Sequence, residues 1–401
     1  MTHDTNIPQG YKATALGIIP QEWEVMRLGD IVSITSGESP SLYHLKAEGK
    51  YPYVKVEDLN NCEKYQESCR EYSDDNNTTI KAGSIIFPKR GASILNNKVR
   101  IAAKDIQMDS NMMAITPHTA IVDTEFLYIR ILHERLYRIA DTSSIPQINN
   151  KHIIPYKIAV PPLAEQRKIA EVLGVWDEAI EKQARLIEKL ALRKRALMQR
   201  LLSAKLRLPG FSEPWKTHKL QELFTERNET NRTDLPLLSI TGDRGVILQT
   251  ESEKRDTSND DKSKYKRIAK GDIGYNTMRM WQGRSALSGL EGIVSPAYTI
   301  VVPNTDVDGY YMSVLFKRPR LIYDFWTHSQ GLVGDTLNCK YRDFGQVHIC
   351  CPPLAEQKAI TEVLTAADRE IELAKEKLER LRRQKRGLMQ QLLTGKKRVN
   401  Y

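Results

Sequence analysis

The chain has 401 residues, with 60 Lys+Arg against 50 Asp+Glu and a formal net charge of +10. At roughly 100–200 residues per domain, this length predicts two or three domains. Hydrophobic residues make up 40% of the chain, which is enough for packed cores. No apolar run approaches the ~18 residues of a membrane span, and residues 1–12 lack the pattern of a signal peptide. We therefore expect a cytoplasmic protein and exclude membrane proteins, collagens and secreted proteins. Its positive charge suits a nucleic acid or an acidic partner.

The cysteines predict neither a disulfide framework nor a structural zinc site. Their number is odd, two of them are adjacent, and none has the Cys-x-x-Cys spacing. We expect free thiols in a reducing cytoplasm. The five residues are Cys62, Cys69, Cys339, Cys350 and Cys351.

The chain contains an internal repeat. The sequence Pro-Pro-Leu-Ala-Glu-Gln at 161–166 recurs 191 residues later, at 352–357. The match continues without a gap to Lys205 and Lys396, with about half of the positions identical. Weaker similarity, such as Trp-x-x-x-x-Leu near the start of each half, precedes it. A period of this length indicates a duplicated domain-plus-helix unit rather than a solenoid.

Residues 1–160 are predicted to form a mixed α/β domain, because short β-branched runs alternate with an amphipathic stretch at 125–138 that reads as a helix. The strands are predicted at 31–34, 84–87, 113–116 and 158–160.

A basic cluster in this domain is a candidate DNA-binding surface. Between Lys81 and Lys104 there are six basic residues and no acidic residue. Arg pairs with guanine and Asn or Gln with adenine in the major groove, whereas Lys contacts phosphates. The polar segment 143–151 is a second candidate, although it is equally typical of a turn before the last strand. The predicted DNA-binding residues are Lys89, Arg90, Asn96, Asn97, Lys98, Arg100, Gln147, Asn149 and Lys151.

Residues 161–208 predict one long helix. The Pro-Pro pair opens it, and Glu165 falls in the first turn, where the helix dipole favours negative charge. From Ile169 to Leu201, apolar residues recur at alternating spacings of four and three, with interruptions at Gln183 and Lys194. This spacing is the pattern of a coiled-coil seam, and ~40 helical residues span ~60 Å. The alternative is a helix that packs only on its own globular half.

Residues 209–351 predict a second mixed α/β domain, with strands at 299–302 and 346–349 and a helix at 310–318. From Lys262 to Arg284 there are seven basic residues and one acidic residue, and the polar segment 334–342 corresponds to 143–151. The predicted DNA-binding residues here are Lys264, Lys266, Arg267, Asn276, Arg279, Gln282, Arg284, Lys340 and Arg342.

Residues 352–401 repeat the seam of the first helix, interrupted only at Lys385. In both helical segments an acidic first part with a net charge of −3 (161–181 and 352–374) precedes a basic part with a net charge of +8. Flanking charges select the orientation of a coiled coil. We therefore predict an antiparallel pair of helices related by a pseudo-two-fold axis, which would hold the two domains at opposite ends of a rod.

Sequence motifs for catalysis are missing. There is no Gly-x-Gly loop, no P-loop, no Asn/Asp-Pro-Pro-aromatic motif of amino-methyltransferases, and no His/Cys ligand set. We therefore predict no catalytic, metal-binding or cofactor-binding residue in this chain. A protein–protein assembly scaffold is the alternative to a DNA-binding protein, and an enzyme with an unrecognised site is a further one.

This organisation resembles the specificity subunit of type I restriction–modification enzymes. The resemblance rests on the two Pro-Pro-Leu-Ala-Glu-Gln helices, the Trp-x-x-x-x-Leu starts and the Leu-Met-Gln-x-Leu-Leu ends of the helices, and covers nearly the whole chain. It implies two target recognition domains that each read half of a bipartite target in double-stranded DNA. The helices would dock two methyltransferase subunits, restriction subunits would join that core, and S-adenosylmethionine, ATP and Mg would bind to these partners. The segments are then recognition domain 1 (1–160), the central helix (161–208), recognition domain 2 (209–351) and the C-terminal helix (352–401).

Overall fold

The computed structural model describes residues 7–141, 145–242, 244–252, 260–331 and 337–400. Contacts divide the chain into two compact units. Unit 1 comprises Met1–Ala184 and Glu376–Tyr401, and unit 2 comprises Arg185–Lys375. Both units are mixed α/β, as predicted, and each contains parts of both long helices.

The elements of unit 1 are short except for the long helices. Its strands are β1 (Tyr11–Thr14), β2 (Gly17–Pro20), β3 (Glu24–Arg27), β4 (Val32–Ser36), β5 (Tyr51–Val54), β6 (Tyr65–Gln66), β7 (Tyr72–Ser73), β8 (Ile85–Pro88), β9 (Arg100–Ala102), β10 (Gln107–Met108), β11 (Met112–Pro117) and β12 (Lys157–Val160). Its helices are α1 (Leu28–Ile31), α2 (Thr124–Glu134), α3 (Leu136–Ile139), α4 (Asn150–Ile153) and the first part of α5 (Leu163–Leu201).

A five-stranded sheet in the order β4-β11-β8-β9-β6 forms the centre of unit 1, and β12 pairs antiparallel with β3. Both faces of β8 are covered. Ile85 and Phe87 belong to the main hydrophobic core, while Ile86 belongs to a second, smaller core. Because successive side chains of a strand point to opposite faces, a strand covered on both faces is apolar throughout. This explains the unbroken apolar run at 85–87.

Unit 2 repeats this arrangement. Its strands are β13 (Lys216–Lys219), β14 (Phe224–Glu226), β15 (Leu238–Ile240), β16 (Val246–Leu248), β17 (Lys266–Ile268), β18 (Ile273–Asn276), β19 (Ser285–Leu287), β20 (Gly292–Val294), β21 (Tyr298–Pro303) and β22 (His348–Cys351). Its helices are α6 (Leu220–Leu223), α7 (Gly309–Leu315), α8 (Pro319–His328), α9 (Tyr341–Gln346) and the first part of α10 (Leu354–Leu393). The order β14-β21-β18-β19 matches β4-β11-β8-β9, and β13-β22 matches β3-β12.

Two predicted helices differ from the observed ones. The helix predicted at 125–138 divides at Arg135, whose positive φ of 63° separates α2 from α3. The helix predicted at 310–318 ends at Leu315. Arg318 has an extended backbone because the residue before a proline avoids the helical region, and Pro319 then begins α8, which the sequence analysis missed.

The two long helices run antiparallel within unit 1. Ile169 and Leu173 near the start of α5 share a hydrophobic core with Leu392 at the end of α10. Further along α5, Asp177 pairs with Lys385, which lies earlier in α10. Since higher numbers on one helix meet lower numbers on the other, the predicted orientation is confirmed here.

Unit 2 shows the same antiparallel packing with the roles of the helices exchanged. Leu201 at the end of α5 shares a core with Ile360 and Leu364 near the start of α10. Lys194 pairs with Asp368, the residue that corresponds to Asp177. The predicted seam positions of both helices are buried or half-buried throughout. The charge pattern therefore identified real partners, because the basic part of each helix meets the acidic part of the other.

Replacing Gly37 with alanine should destabilise unit 1 by about 1–3 kcal/mol. A Cβ at this position would lie 2.0 Å from the backbone oxygen of Asp109, which cannot move away as a side chain could. Gly174→Ala is the matched control, because it lies inside α5 with no atom within 4 Å of a new Cβ. That change should stabilise the helix by roughly 0.5–1 kcal/mol. Urea unfolding followed by hydrogen exchange checks both, and equal effects would contradict the packing described for Gly37.

Candidate nucleic-acid interface

In unit 1 the two candidate DNA-binding segments form one continuous surface. The loop after β8 carries Lys89 and the exposed Arg90. Its backbone pairs with the later segment, because Ile148 N–H donates to the Lys89 carbonyl at 2.9 Å and Gly91 N–H donates to the Pro146 carbonyl at 2.9 Å. These bonds set the exposed Arg90 beside the half-buried Gln147. Residues 142–144, which include the first two residues of the second segment, lie outside the described residues.

Unit 2 joins its two candidate segments in the same way. The loop after β18 runs from Thr277 through the exposed Arg279 into a short 3-10 turn at Met280–Gln282. The Cys339 N–H donates to the Thr277 carbonyl at 2.8 Å, so the loop lies beside the segment that holds Lys340. Residues 332–336 lie outside the described residues. We call the surface that the two segments form in each unit the joined surface. It follows β8 in unit 1 and β18 in unit 2, the strands that pair with β11 and with its counterpart β21.

An open cleft of about 640 Å³ belongs to this surface in unit 2. It is lined by Gln330, Asn338, Lys340, Arg342, Asp343 and Gln346. The Oδ1 atom of Asn338 is buried without a hydrogen-bond partner among the described residues. Side-chain amides can both donate to and accept from base edges, and the neighbouring cationic side chains can contact phosphates.

Four of the predicted residues make contacts inside their own unit. Asn97, at φ 50°, donates to the Leu132 carbonyl and accepts from Leu136 N–H. Arg100 donates to backbone carbonyls, including that of Leu59 at 2.7 Å. Lys266 pairs with Glu226, and Arg267 pairs with Glu229 and Glu291. These bonds hold loops and strands together, and sequence alone gave no sign of them.

Most of the other predicted residues have exposed side chains. Burial lowers the pKa of Lys89, and the Asn276 amide accepts from Met278 N–H at 3.0 Å. Asn149 N–H donates to His152 Nδ1 at the start of α4, which places the neighbouring Lys151 on that helix. The exposed residues are Arg90, Asn96, Asn149, Lys151, Lys264, Arg279, Gln282, Arg284, Lys340 and Arg342, while the half-buried ones are Lys89, Lys98, Gln147 and Asn276. Whether these residues contact DNA stays a prediction.

Exposed aromatic and apolar side chains flank the unit 2 surface, and the sequence analysis did not identify all of them as site residues. Met278 is 48% exposed, and Trp281 donates its indole N–H to the Met278 carbonyl. On α8, Tyr323 and Trp326 are also exposed, with ring centroids 5.5 Å apart. The 3-10 turn packs against α8 through Gly283. The start signal at Pro319 could have revealed α8 and with it these two aromatic residues.

A buried glutamate at the start of each long helix fixes that helix to its unit. In unit 1, Glu165 is fully buried and accepts hydrogen bonds from Trp23 Nε1 at 2.9 Å and Arg398 Nε at 2.6 Å. Hydrogen bonding to Glu165 raises the pKa of Arg398. The sequence analysis predicted only a dipole effect for Glu165, but its larger role is to join the start of α5 to the chain beyond α10.

The corresponding cluster in unit 2 uses equivalent residues. Glu356 accepts from Trp215 Nε1 at 3.2 Å and from Arg207 Nε at 2.6 Å. Arg207 and Arg398 are 191 residues apart, which is the repeat offset. We call each set of Trp, Glu and Arg a clasp. Each clasp holds the helix start of one repeat against the helix end of the other.

The glutamine that follows each clasp glutamate links the helix to the domain. Gln166 donates to the Pro161 carbonyl and accepts from Asp123 N–H, and Asp123 caps α2. Gln357 makes the same two bonds, to the Pro352 carbonyl and from the N–H of Asp308, which caps α7. In both repeats the side chains of the Glu-Gln pair are therefore buried, and they form hydrogen bonds within their own unit.

Among the residues that the structure describes, no group of three or more His, Cys, Asp or Glu could hold a metal ion. Within the same described ranges, no helix is long and apolar enough to cross a membrane.

Comparisons with known proteins agree with this architecture. The family model described as "Type I restriction modification DNA specificity domain" matches residues 20–191. The type I restriction enzyme MjaVIII specificity subunit of Methanocaldococcus jannaschii is 24% identical, over 95% of this chain and 94% of its own length. The putative MjaX specificity subunit of the same organism is 26% identical, over 98% of this chain and 97% of its own length.

Solved structures show the same fold. A chain from a structure of complex assembly in a type I R-M system has a TM-score of 0.62 at 18% identity, with 94% of this chain and 99% of that chain covered. The HsdS subunit of Thermoanaerobacter tengcongensis has a TM-score of 0.52 at 16% identity, with 94% and 98% covered. The family match over residues 20–191, the relatives that span nearly the whole chain and the duplicated architecture together support a specificity subunit of a type I restriction–modification system.

Proposed function

We propose that the joined surface of each unit reads one half of a bipartite DNA target, unit 1 through the Arg90–Gln147 region and unit 2 through the Arg279–Lys340 region. The observation that carries this proposal is the equivalent backbone pairing in both units, which unites two separately predicted segments. Exposed arginine and lysine beside side-chain amides give each surface donors for phosphates and both donors and acceptors for base edges.

We further propose that the long helices dock two methyltransferase subunits and that restriction subunits join this core. The duplication supports two equivalent docking positions, because each repeat provides the same residues at the same positions of its helix. In this proposal the chain supplies recognition and no catalysis, and S-adenosylmethionine, ATP and Mg bind to the partner subunits. Incubation of the purified chain alone with DNA and these cofactors tests the last point, since methylation or cleavage would overturn it.

Arg90→Ala and Arg279→Ala should each weaken DNA binding by the assembled enzyme and relax specificity in one half of the target only. The loss of a base contact should cost about 1–3 kcal/mol, and the loss of a phosphate contact should reduce the salt slope by about one. Binding to DNAs that carry single base changes in either half, at several salt concentrations, measures both effects.

Arg267→Ala is the matched control, because it removes the same charge from the unit 2 basic cluster at a residue that is paired with Glu229 and Glu291. This variant should bind DNA almost as the unmodified chain does. If Arg90→Ala and Arg279→Ala leave affinity unchanged, or if either relaxes both half-sites, the proposed division of reading between the units is wrong.

A further inference from the structure

A cleft of about 670 Å³ lies in unit 1 where the end of α10 meets α2 and α3. Its basic lining residues are Arg135 and Arg138 from the chain around α3 and Arg386 from α10. Its apolar lining includes Leu95, Leu132 and Met389. The lining also includes Asn97, but it includes neither Arg90 nor Gln147, and neither the clasp nor the helix seam uses the three arginines.

The positive charge of this cleft is not balanced within the described part of the chain. Arg135, Arg138 and Arg386 are exposed, and none of them forms an ion pair with a described carboxylate. One neighbouring basic residue, Arg382, differs because it pairs with Glu379. Hydrogen bonds from Arg138 and Arg135 lower the pKa of Tyr137, which is a further sign of concentrated positive charge. Three guanidinium groups directed at one cleft favour an anionic ligand.

The apolar part of the cleft distinguishes between kinds of anion. Leu95 is 56% exposed, and Leu132 and Met389 are half-buried. A DNA backbone could use the arginines but would leave these apolar surfaces without a partner. A protein segment that presents carboxylates next to an apolar side chain would use both, because an anchor residue in a pocket surrounded by charged groups is typical of protein interfaces.

Part of this basic set has sequence counterparts in the other repeat. Arg386, Met389 and Gln390 correspond at the repeat offset to Arg195, Met198 and Gln199 on α5. In unit 2, Lys317 and Arg320 follow α7 with the same three-residue spacing as Arg135 and Arg138 after α2, but Arg320 differs because it pairs with Asp324. Burial and the nearby Lys194 lower the pKa of Lys317, which places the end of α7 close to α5.

We propose that this cleft binds an acidic protein segment with an apolar anchor side chain, supplied by the methyltransferase subunit. The inference rests on the proposed docking of methyltransferase subunits and names where an acidic part of one of them would bind. It assigns a partner contact to the domain side of α10, in addition to the helices themselves.

The test combines charge reversal with an apolar truncation in the full chain. The double variant Arg138→Glu/Arg386→Glu should weaken association with the methyltransferase subunit by at least about tenfold, and Leu95→Ala should weaken it by roughly tenfold. Association of the unmodified chain should weaken as salt increases, and the double variant should show a shallower salt dependence. Light scattering and surface binding with purified methyltransferase subunit measure these quantities.

Arg380→Glu is the matched control, because it reverses an exposed charge on α10 six residues earlier, about 240° around the helix. It should associate like the unmodified chain. The proposal would be overturned if the double variant associated with the methyltransferase subunit as well as this control does. If the double variant also bound all DNA sequences more weakly, the cleft would instead be a site for DNA phosphates. If the unmodified chain itself does not associate, the proposed docking function fails instead.

Discussion

Glu165→Ala should lower the free energy of unfolding of unit 1 by about 3 kcal/mol. The carboxylate is fully buried and accepts hydrogen bonds from Trp23 and Arg398, so its loss leaves a buried indole N–H without an acceptor and leaves the guanidinium with Glu22 as its remaining partner. The side chain of Arg398 is 32% exposed and can regain some hydration, which limits the loss. Hydrogen exchange of amides at the start of α5 and in residues 394–399 measures the effect, because these segments meet at the clasp.

Unit 2 provides the control for this prediction. Glu356→Ala removes the equivalent carboxylate and should destabilise unit 2 while unit 1 keeps its exchange rates. Combining Glu165→Ala with Arg398→Ala should give much less than the sum of the two single effects, because both changes break the same interaction. Additive effects, or an unchanged unit 1 in Glu165→Ala, would contradict the role of the clasp.

Arg130→Met should destabilise the docking of the α10 end onto unit 1 by about 3–5 kcal/mol. Arg130 is buried, its Nη1 donates to the Leu393 carbonyl at 2.6 Å, and its Nη2 pairs with Glu134 at 2.7 Å. Methionine keeps much of the packing volume, but the Glu134 carboxylate and the Leu393 carbonyl, the last of α10, both lose the hydrogen bond from Arg130. Burial and the hydrogen bond to Glu134 raise the pKa of Tyr156, so this hydroxyl stays a donor to Glu134 and only partly compensates.

Arg318→Met is the corresponding change in unit 2 and should have the smaller effect. Arg318 donates to the Leu202 carbonyl at 2.5 Å, the position equivalent to Leu393, but it forms no ion pair with a described carboxylate. Its loss should cost about 1.5–3 kcal/mol. Hydrogen exchange near residues 199–205 and 390–396 allows a direct comparison. An equal effect of both substitutions would show that the Glu134 pair adds nothing to the Arg130 contact.

Much of the long-helix architecture was predictable from local sequence. The four-and-three spacing from Ile169 to Leu201 predicted the seam, because apolar residues one or two turns apart line one face of a helix. The charge division predicted the antiparallel packing that Lys385–Asp177 and Lys194–Asp368 show within their units. The six predicted strands overlap β4, β8, β11, β12, β21 and β22, although β22 begins only at His348 because Gln346 ends α9. The break at Arg135 was missed because a positive φ at a non-glycine residue leaves no compositional signal.

The candidate interface was only partly predictable. The basic clusters identified the loops after β8 and β18, yet Arg100 and Arg267 in those clusters are held by carbonyls and carboxylates of their own unit. Composition cannot distinguish them from the exposed Arg90 and Arg279, because the difference lies in which residues the chain brings within hydrogen-bond distance.

The sequence by itself determined the duplication, the long helices and their orientation, since these depend on periodicity and on charge along one segment. Only the tertiary structure decided that each pair of separated polar segments forms one surface, and that Glu165 and Arg398, 233 residues apart, form a clasp. Such contacts depend on the path of the chain through the sheet and along two helices, and the residues involved are too far apart for local preferences to encode their meeting.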